Sequence, residues 1–230
     1  MTDPTPAGAA APDFVPAALA IAETRAWVRR AVIGLNLCPF ARGVAVKDQV
    51  RYVVCDAADE EALLRTLCTE LQRLADTDAE LLETTLLVHP GVLADFADFN
   101  DFLAVAEAAV EELGLDGVLQ VASFHPQYQF DGTAADDVGN ATNRSPWPTL
   151  HLLREESIDR AVAVFPHPEA IFEANLQTLD ALGPDGWAAL QAQCRADAAS
   201  ALAAGTPDAA ASDAATANAV GDRPDGARPH

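Results

Sequence analysis

Basic residues are scarce in this chain: 14 Lys and Arg stand against 35 Asp and Glu, a formal net charge of -21. So acidic a chain repels phosphate backbones and anionic bilayers, so neither nucleic acid nor a membrane surface is expected as a partner. Long apolar runs are missing as well. Nothing approaches the roughly 20 consecutive apolar residues of a membrane helix. The opening MTDPTPAGAAAPDF has neither a basic start nor an apolar core, so a secretory signal is not expected. Cysteine is sparse, and Cys38, Cys55, Cys68 and Cys194 form no CxxC pair. That spacing argues against a four-thiolate zinc site and points to reduced thiols in a cytoplasmic protein. There is no P-loop, GxGxxG, HExxH, EF-hand loop or GxSxG, which disfavours nucleotide-driven and serine-hydrolase chemistry of the usual kinds.

What is present is enough apolar material for one core. Half of the residues are hydrophobic, although Ala near the ends inflates that share. Residues 1–15 are rich in Pro, Ala and Thr, and residues 199–230 hold no aromatic side chain. Neither segment can bury enough surface to offset its ordering entropy, so both are expected to be disordered around a single domain at 16–198. Within that domain, Ile21, Trp27, Val28, Ala31, Val32 and Leu35 recur at helical spacing. The β-branched run Val50–Cys55 predicts a strand, DEEALLRTLCTELQRLAD (59–76) an amphipathic helix, and Thr84–Val88 a second strand. A helix over Asp98–Leu113 and a third strand over Val118–Phe124 follow. Helical segments are expected at 149–153, 156–163, 168–182 and 185–198, with Gly183 between the last two.

Strand–helix–strand–helix–strand with connections of this length predicts an α/β fold. The expected sheet is small and mostly parallel, of three or four strands, covered by helices and followed by a helical C-terminal part. Gly43–Val46 or Phe130 are candidates for an edge strand, and a ferredoxin-like α+β sandwich is the rival fold. Parallel strands bring their C-terminal ends to one edge, where open α/β sheets bind ligands. Two of these ends carry His89-Pro90 and His125-Pro126. By strand spacing the two imidazoles would lie roughly 5 to 10 Å apart, close enough for a metal pair or an acid/base pair. The plain alternative is that Pro simply ends a strand and each His is a hydrogen-bonded rim residue.

Other candidates lie nearby. Cys38, after the first helix, is a nucleophile only if a cation or metal lowers its pKa, because the helix C-terminus acts the other way; otherwise it is a small buried hydrophobe. Tyr128 is a candidate proton donor or stacking wall, or else loop packing. Arg144, in Asn143-Arg144-Ser145-Pro146, suits a carboxylate or phosphate through its planar fork, the alternative being a loop-anchoring salt bridge. His151 and Arg154 share one face if 149–153 is helical.

The segments LNLCPFA (35–41), LLVHP (86–90), DFNDFL (98–103), ASFHPQYQF (122–130) and NRSPWPTLHLLREES (143–157) together resemble a bacterial family catalogued as domain of unknown function 1415. The resemblance spans about residues 20–185 and departs at Trp147, where a Tyr is expected. It implies a compact cytoplasmic protein and carries no catalytic residues with it.

Three functions fit these residues. One is a small metal-dependent enzyme with His89 and His125 as zinc or iron ligands and His151 or Cys38 as helpers. A second is a metal-free enzyme with Cys38 as nucleophile and a histidine as base. The third is a binding or regulatory module that takes a small anion through Arg144, Asn143 and His151.

Overall fold

The computed structural model describes residues 15–163 and 169–205. The head, and the tail beyond 205, lie outside the described residues. Helix α1 (Ala17–Trp27) runs without a break into a π-helical turn, Val28–Ile33, and a short α2 (Ala41–Val46) follows. Four strands come next in the order β1 (Val50–Val54), β2 (Thr84–Val88), β3 (Leu119–Phe124) and β4 (Thr149–Arg154). Between them lie α3 (Glu60–Asp76) and α4 (Phe96–Glu112), and after them α5 (Glu155–Ala163) and α6 (Glu169–Ala203).

The helices over the first sheet face start where their sequences say they should. Asp59 caps α3 by accepting from the Ala62 N–H at 2.8 Å, and Asp95 caps α4 by accepting from Ala97 N–H at 2.8 Å. Leu63, Leu67, Leu71 and Leu74, spaced three and four apart, are fully buried on α3. Each contributes roughly 2 kcal/mol through its burial. They pack with Phe99, Phe102 and Ala106 of α4 against Val53, Leu87, Leu119, Leu150 and Leu152 of the sheet. The opposite face carries Tyr52 and Leu86, covered by Ile21, Trp27 and Ala31 of the N-terminal helix and by Leu179 and Trp187 of α6. The architecture is thus a three-layer α/β/α sandwich.

The α/β expectation holds, but the sheet is mixed. Its order is β1-β2-β4-β3, with β1 and β2 parallel and β4 antiparallel to both of its neighbours. Residues 149–153, expected to be helical, form most of this central strand. Leu, Arg and Glu are good helix formers, yet insertion between two strands overrides their propensity. Leu150 and Leu152 point to one core and His151 to the other, as a strand's alternation requires. Gly43–Val46 falls in helix α2 and Phe130 in a loop, so neither adds an edge strand. Because β4 runs against its neighbours, β1, β2 and β3 still point the same way, and their C-terminal ends share one edge. Helix α6 is broken at Gly183 and reaches Ala203, several residues past the expected end at 198.

Candidate functional site

His89 and His125 lie at the shared edge, on either side of the start of β4, and both are fully buried. Both rings pack on Phe99, with centroids 5.7 and 5.1 Å from it. One nitrogen of each is spent on the backbone of the turn after β2. His89 Nδ1 lies 3.0 Å from Val92 O and His125 Nε2 lies 3.2 Å from Leu93 O, and since a carbonyl only accepts, each of these nitrogens carries the proton and donates. His125 Nδ1 accepts from the Gln127 N–H at 3.1 Å, so neither nitrogen of His125 is left to ligate. His89 Nε2 alone is buried without a partner. Burial pushes the pKa of His89 down to about 4 and lowers that of His125. The two imidazoles hold a turn in which Leu93 takes a positive φ of 58°, a conformation uncommon for a branched side chain.

The other candidates are dispersed. Cys38 is half-buried in the bend after the π-helical turn, with its N–H donating to Val32 O at 3.3 Å. Among the described residues no imidazole forms a hydrogen bond with it. Tyr128 packs its ring on Phe96 and Phe130 at 5.1 and 5.0 Å. Asn143 Nδ2 donates to Ser123 O at 3.2 Å, closing the end of β3. His151 lies under the N-terminal helix layer, 2.8 Å from Thr84 Oγ1, and burial pushes its pKa down to about 4. Arg154 is on the opposite side of the strand and donates to the carbonyls of Leu74, Thr77 and Leu82, so the shared face expected for His151 and Arg154 does not form. Cys68 is half-buried and packs against the rim of the core. All four cysteines are free.

A cleft of about 250 Å³ opens beyond the same sheet edge. Three segments build it, with Pro126 of the loop after β3 at its border. Helix α1 contributes Glu23 and Trp27, four residues apart and hence on one face. The second half of α6 presents Trp187, Leu190, Gln191, Cys194 and Arg195, again at helical spacing. The third wall is the segment before β4, with Arg144 and Trp147. All three tryptophans of the chain therefore meet in one cleft. The Ser145 and Thr149 hydroxyls both donate to the Trp147 carbonyl, and Pro146 and Pro148 flank it, which stiffens this wall. Helix α6 is clamped to the N-terminal helix by Asp197, which accepts from Arg29 at 2.7 Å and from Arg30 at 2.7 and 2.8 Å. These guanidinium groups pull the Asp197 pKa down to about 2.

The polar groups of this cleft are incompletely matched. Arg144 Nε donates to Tyr128 O at 3.1 Å and Nη2 to Ala135 O at 2.6 Å. The loop anchor foreseen as a salt bridge is thus made to carbonyls, leaving Nη1 without a hydrogen bond among the described residues. Trp27 Nε1 and Trp147 Nε1 are buried without a hydrogen-bond partner. Burial raises the pKa of Glu23, while the Trp147 N–H, near but outside bonding geometry, and the more distant Arg195 charge act the other way. Sequence reasoning reached Arg144 but missed Glu23, Trp187 and Arg195; the one available signal was that tryptophan occurs only three times. Among the described residues no group of three or more His, Cys, Asp or Glu side chains is arranged to hold a metal ion. No described helix is long and apolar enough to cross a membrane.

No curated protein and no solved structure matches the chain. One family model does, over residues 19–189, which takes in most of α1, the whole sheet and the Arg144–Trp147 wall of the cleft. The chain therefore belongs to the family described as protein of unknown function (DUF1415).

Proposed function

We propose that this protein binds a small anionic molecule in the tryptophan-walled cleft, with Arg144 holding the anion. The observation that carries this reading is the set of unmatched donors there: the buried Trp27 N–H and the free Nη1 of Arg144, both on residues that line the cleft. A buried donor without an acceptor costs about 1–3 kcal/mol, and in native structures such a group generally finds a partner outside the chain. A carboxylate supplies that acceptor and the countercharge together. The indole rings provide the flat apolar walls usual in small-molecule sites, and the volume suits a metabolite smaller than a drug-sized ligand. The two enzymatic readings have less support, because His125 has no free nitrogen and, among the described residues, no imidazole forms a hydrogen bond with Cys38.

The three tryptophans make intrinsic emission a direct reporter of this cleft. Titration with butyrate, benzoate and inorganic phosphate is expected to give a saturable emission change and a rise in melting temperature with at least one of them. Trp27→Phe keeps the ring and removes the N–H, and should weaken that probe about tenfold. Arg144→Ala should abolish binding. Absence of saturation with every probe, or unaltered affinity in both variants, would overturn the assignment.

A further inference from the structure

We infer that the ligand is a zwitterion, with its carboxylate on Arg144 and a small ammonium or quaternary ammonium group between Glu23 and the indole faces. This rests on the anion-binding reading above and adds the opposite pole.

Among the described residues Glu23 is the only acidic side chain that lines the cleft. It is half-buried, and among the described residues no cation reaches it within ion-pair distance. Arg195 influences it only through space, and the Trp147 N–H stops short of a hydrogen bond. Burial raises its pKa despite both favourable neighbours. A carboxyl left in this condition gains from any cation brought beside it.

The surrounding side chains favour a particular kind of cation. Trp27, Trp147 and Trp187 all border the space that Glu23 borders. An indole face attracts a cation by roughly 0.5–2 kcal/mol, more as water is excluded, and quaternary ammonium groups are recognised in this way. A second anion near Glu23 would instead meet like-charge repulsion. The cleft therefore offers Arg144 and a buried indole N–H without acceptors, together with an acid that no described cation contacts. A dianion such as phosphate satisfies only the donors.

The test uses the full chain and four probes of one carbon skeleton: butyrate, butyltrimethylammonium, 4-aminobutyrate and 4-(trimethylammonio)butyrate. Tryptophan emission reads their dissociation constants. At least one zwitterion is expected to bind ten times or more tighter than butyrate, and butyltrimethylammonium more weakly than that zwitterion. Glu23→Gln should bring the zwitterion to the affinity of butyrate, and a thermal melt checks that this variant is folded. Butyrate binding as tightly as both zwitterions, or a zwitterion preference that survives Glu23→Gln, overturns the inference and leaves anion binding standing. If no probe saturates, both readings fall together.

Discussion

His89 and His125 are buried in this domain and His151 is half-buried, and their chemistry is that of neutral rings. His89 is the clearest case: Nδ1 donates to Val92 O, Nε2 has no partner, and burial brings its pKa to about 4. In an unfolded chain the same imidazole titrates near 6.5. A folded-state value below the unfolded one means that the unfolded chain binds more protons between those limits. Stability from this group is therefore complete above about pH 6.5 and is lost as pH falls toward 4. From pH 7 to pH 5 the loss due to His89 is about 2 kcal/mol. His151, also held at about 4, adds to it in the same direction. His89→Asn keeps a donor for Val92 O and removes the titration. Urea unfolding at the two pH values should show the pH-dependent loss smaller by about 2 kcal/mol in the variant, even if the variant is less stable at pH 7. Equal losses in both proteins would mean that His89 is not a buried neutral ring.

At the scale of elements, what the sequence reveals depends on whether the determinant is local. The three strands Val50–Val54, Thr84–Val88 and Leu119–Phe124 were legible because β-branched runs lie between capped amphipathic helices. The central strand β4 was not, since TLHLLREES is rich in helix formers and becomes a strand only between β2 and β3. The sheet edge was located correctly, but the histidines there hold backbone carbonyls that only tertiary folding brings near. The cleft was hidden for a similar reason, because Trp27, Trp147 and Trp187 are distant in the chain. One device that assembles it is local: Gly183, at φ 68° and ψ 173°, breaks α6 and is followed by Pro184. That region of conformational space is essentially restricted to glycine and costs other residues roughly 1–3 kcal/mol. A Cβ at Gly183 would meet nothing within 4 Å, so the cost is purely one of backbone conformation. Gly183→Ala is expected to lower the melting temperature by several degrees and to weaken probe binding, because Trp187 and Leu190 follow directly after the bend. A variant that melts and binds as the parent does would show that packing, not the glycine, sets the kink.

For the whole molecule, a net charge of -21 sets the field in which the cleft works. Arg144 and Arg195 are local cations on a strongly negative body, so a free anion must approach against long-range repulsion before it meets them. That repulsion extends roughly 30 Å at 0.01 M salt and shrinks to about 8 Å at 0.15 M. A zwitterion carries no net charge, feels almost none of it, and interacts with Arg144 and Glu23 only at short range. The two ligand classes should therefore respond differently to salt. Butyrate is expected to bind more tightly as ionic strength rises from 0.01 to 0.15 M, since screening removes the body's repulsion faster than it weakens a partly buried contact. The dissociation constant of 4-(trimethylammonio)butyrate should change by less than about twofold over that range. Stopped-flow emission would place the butyrate change in the association rate, where long-range fields act. If butyrate weakens with salt instead, the local guanidinium groups outweigh the body's charge at this cleft, and the advantage of a neutral ligand would rest on Glu23 alone.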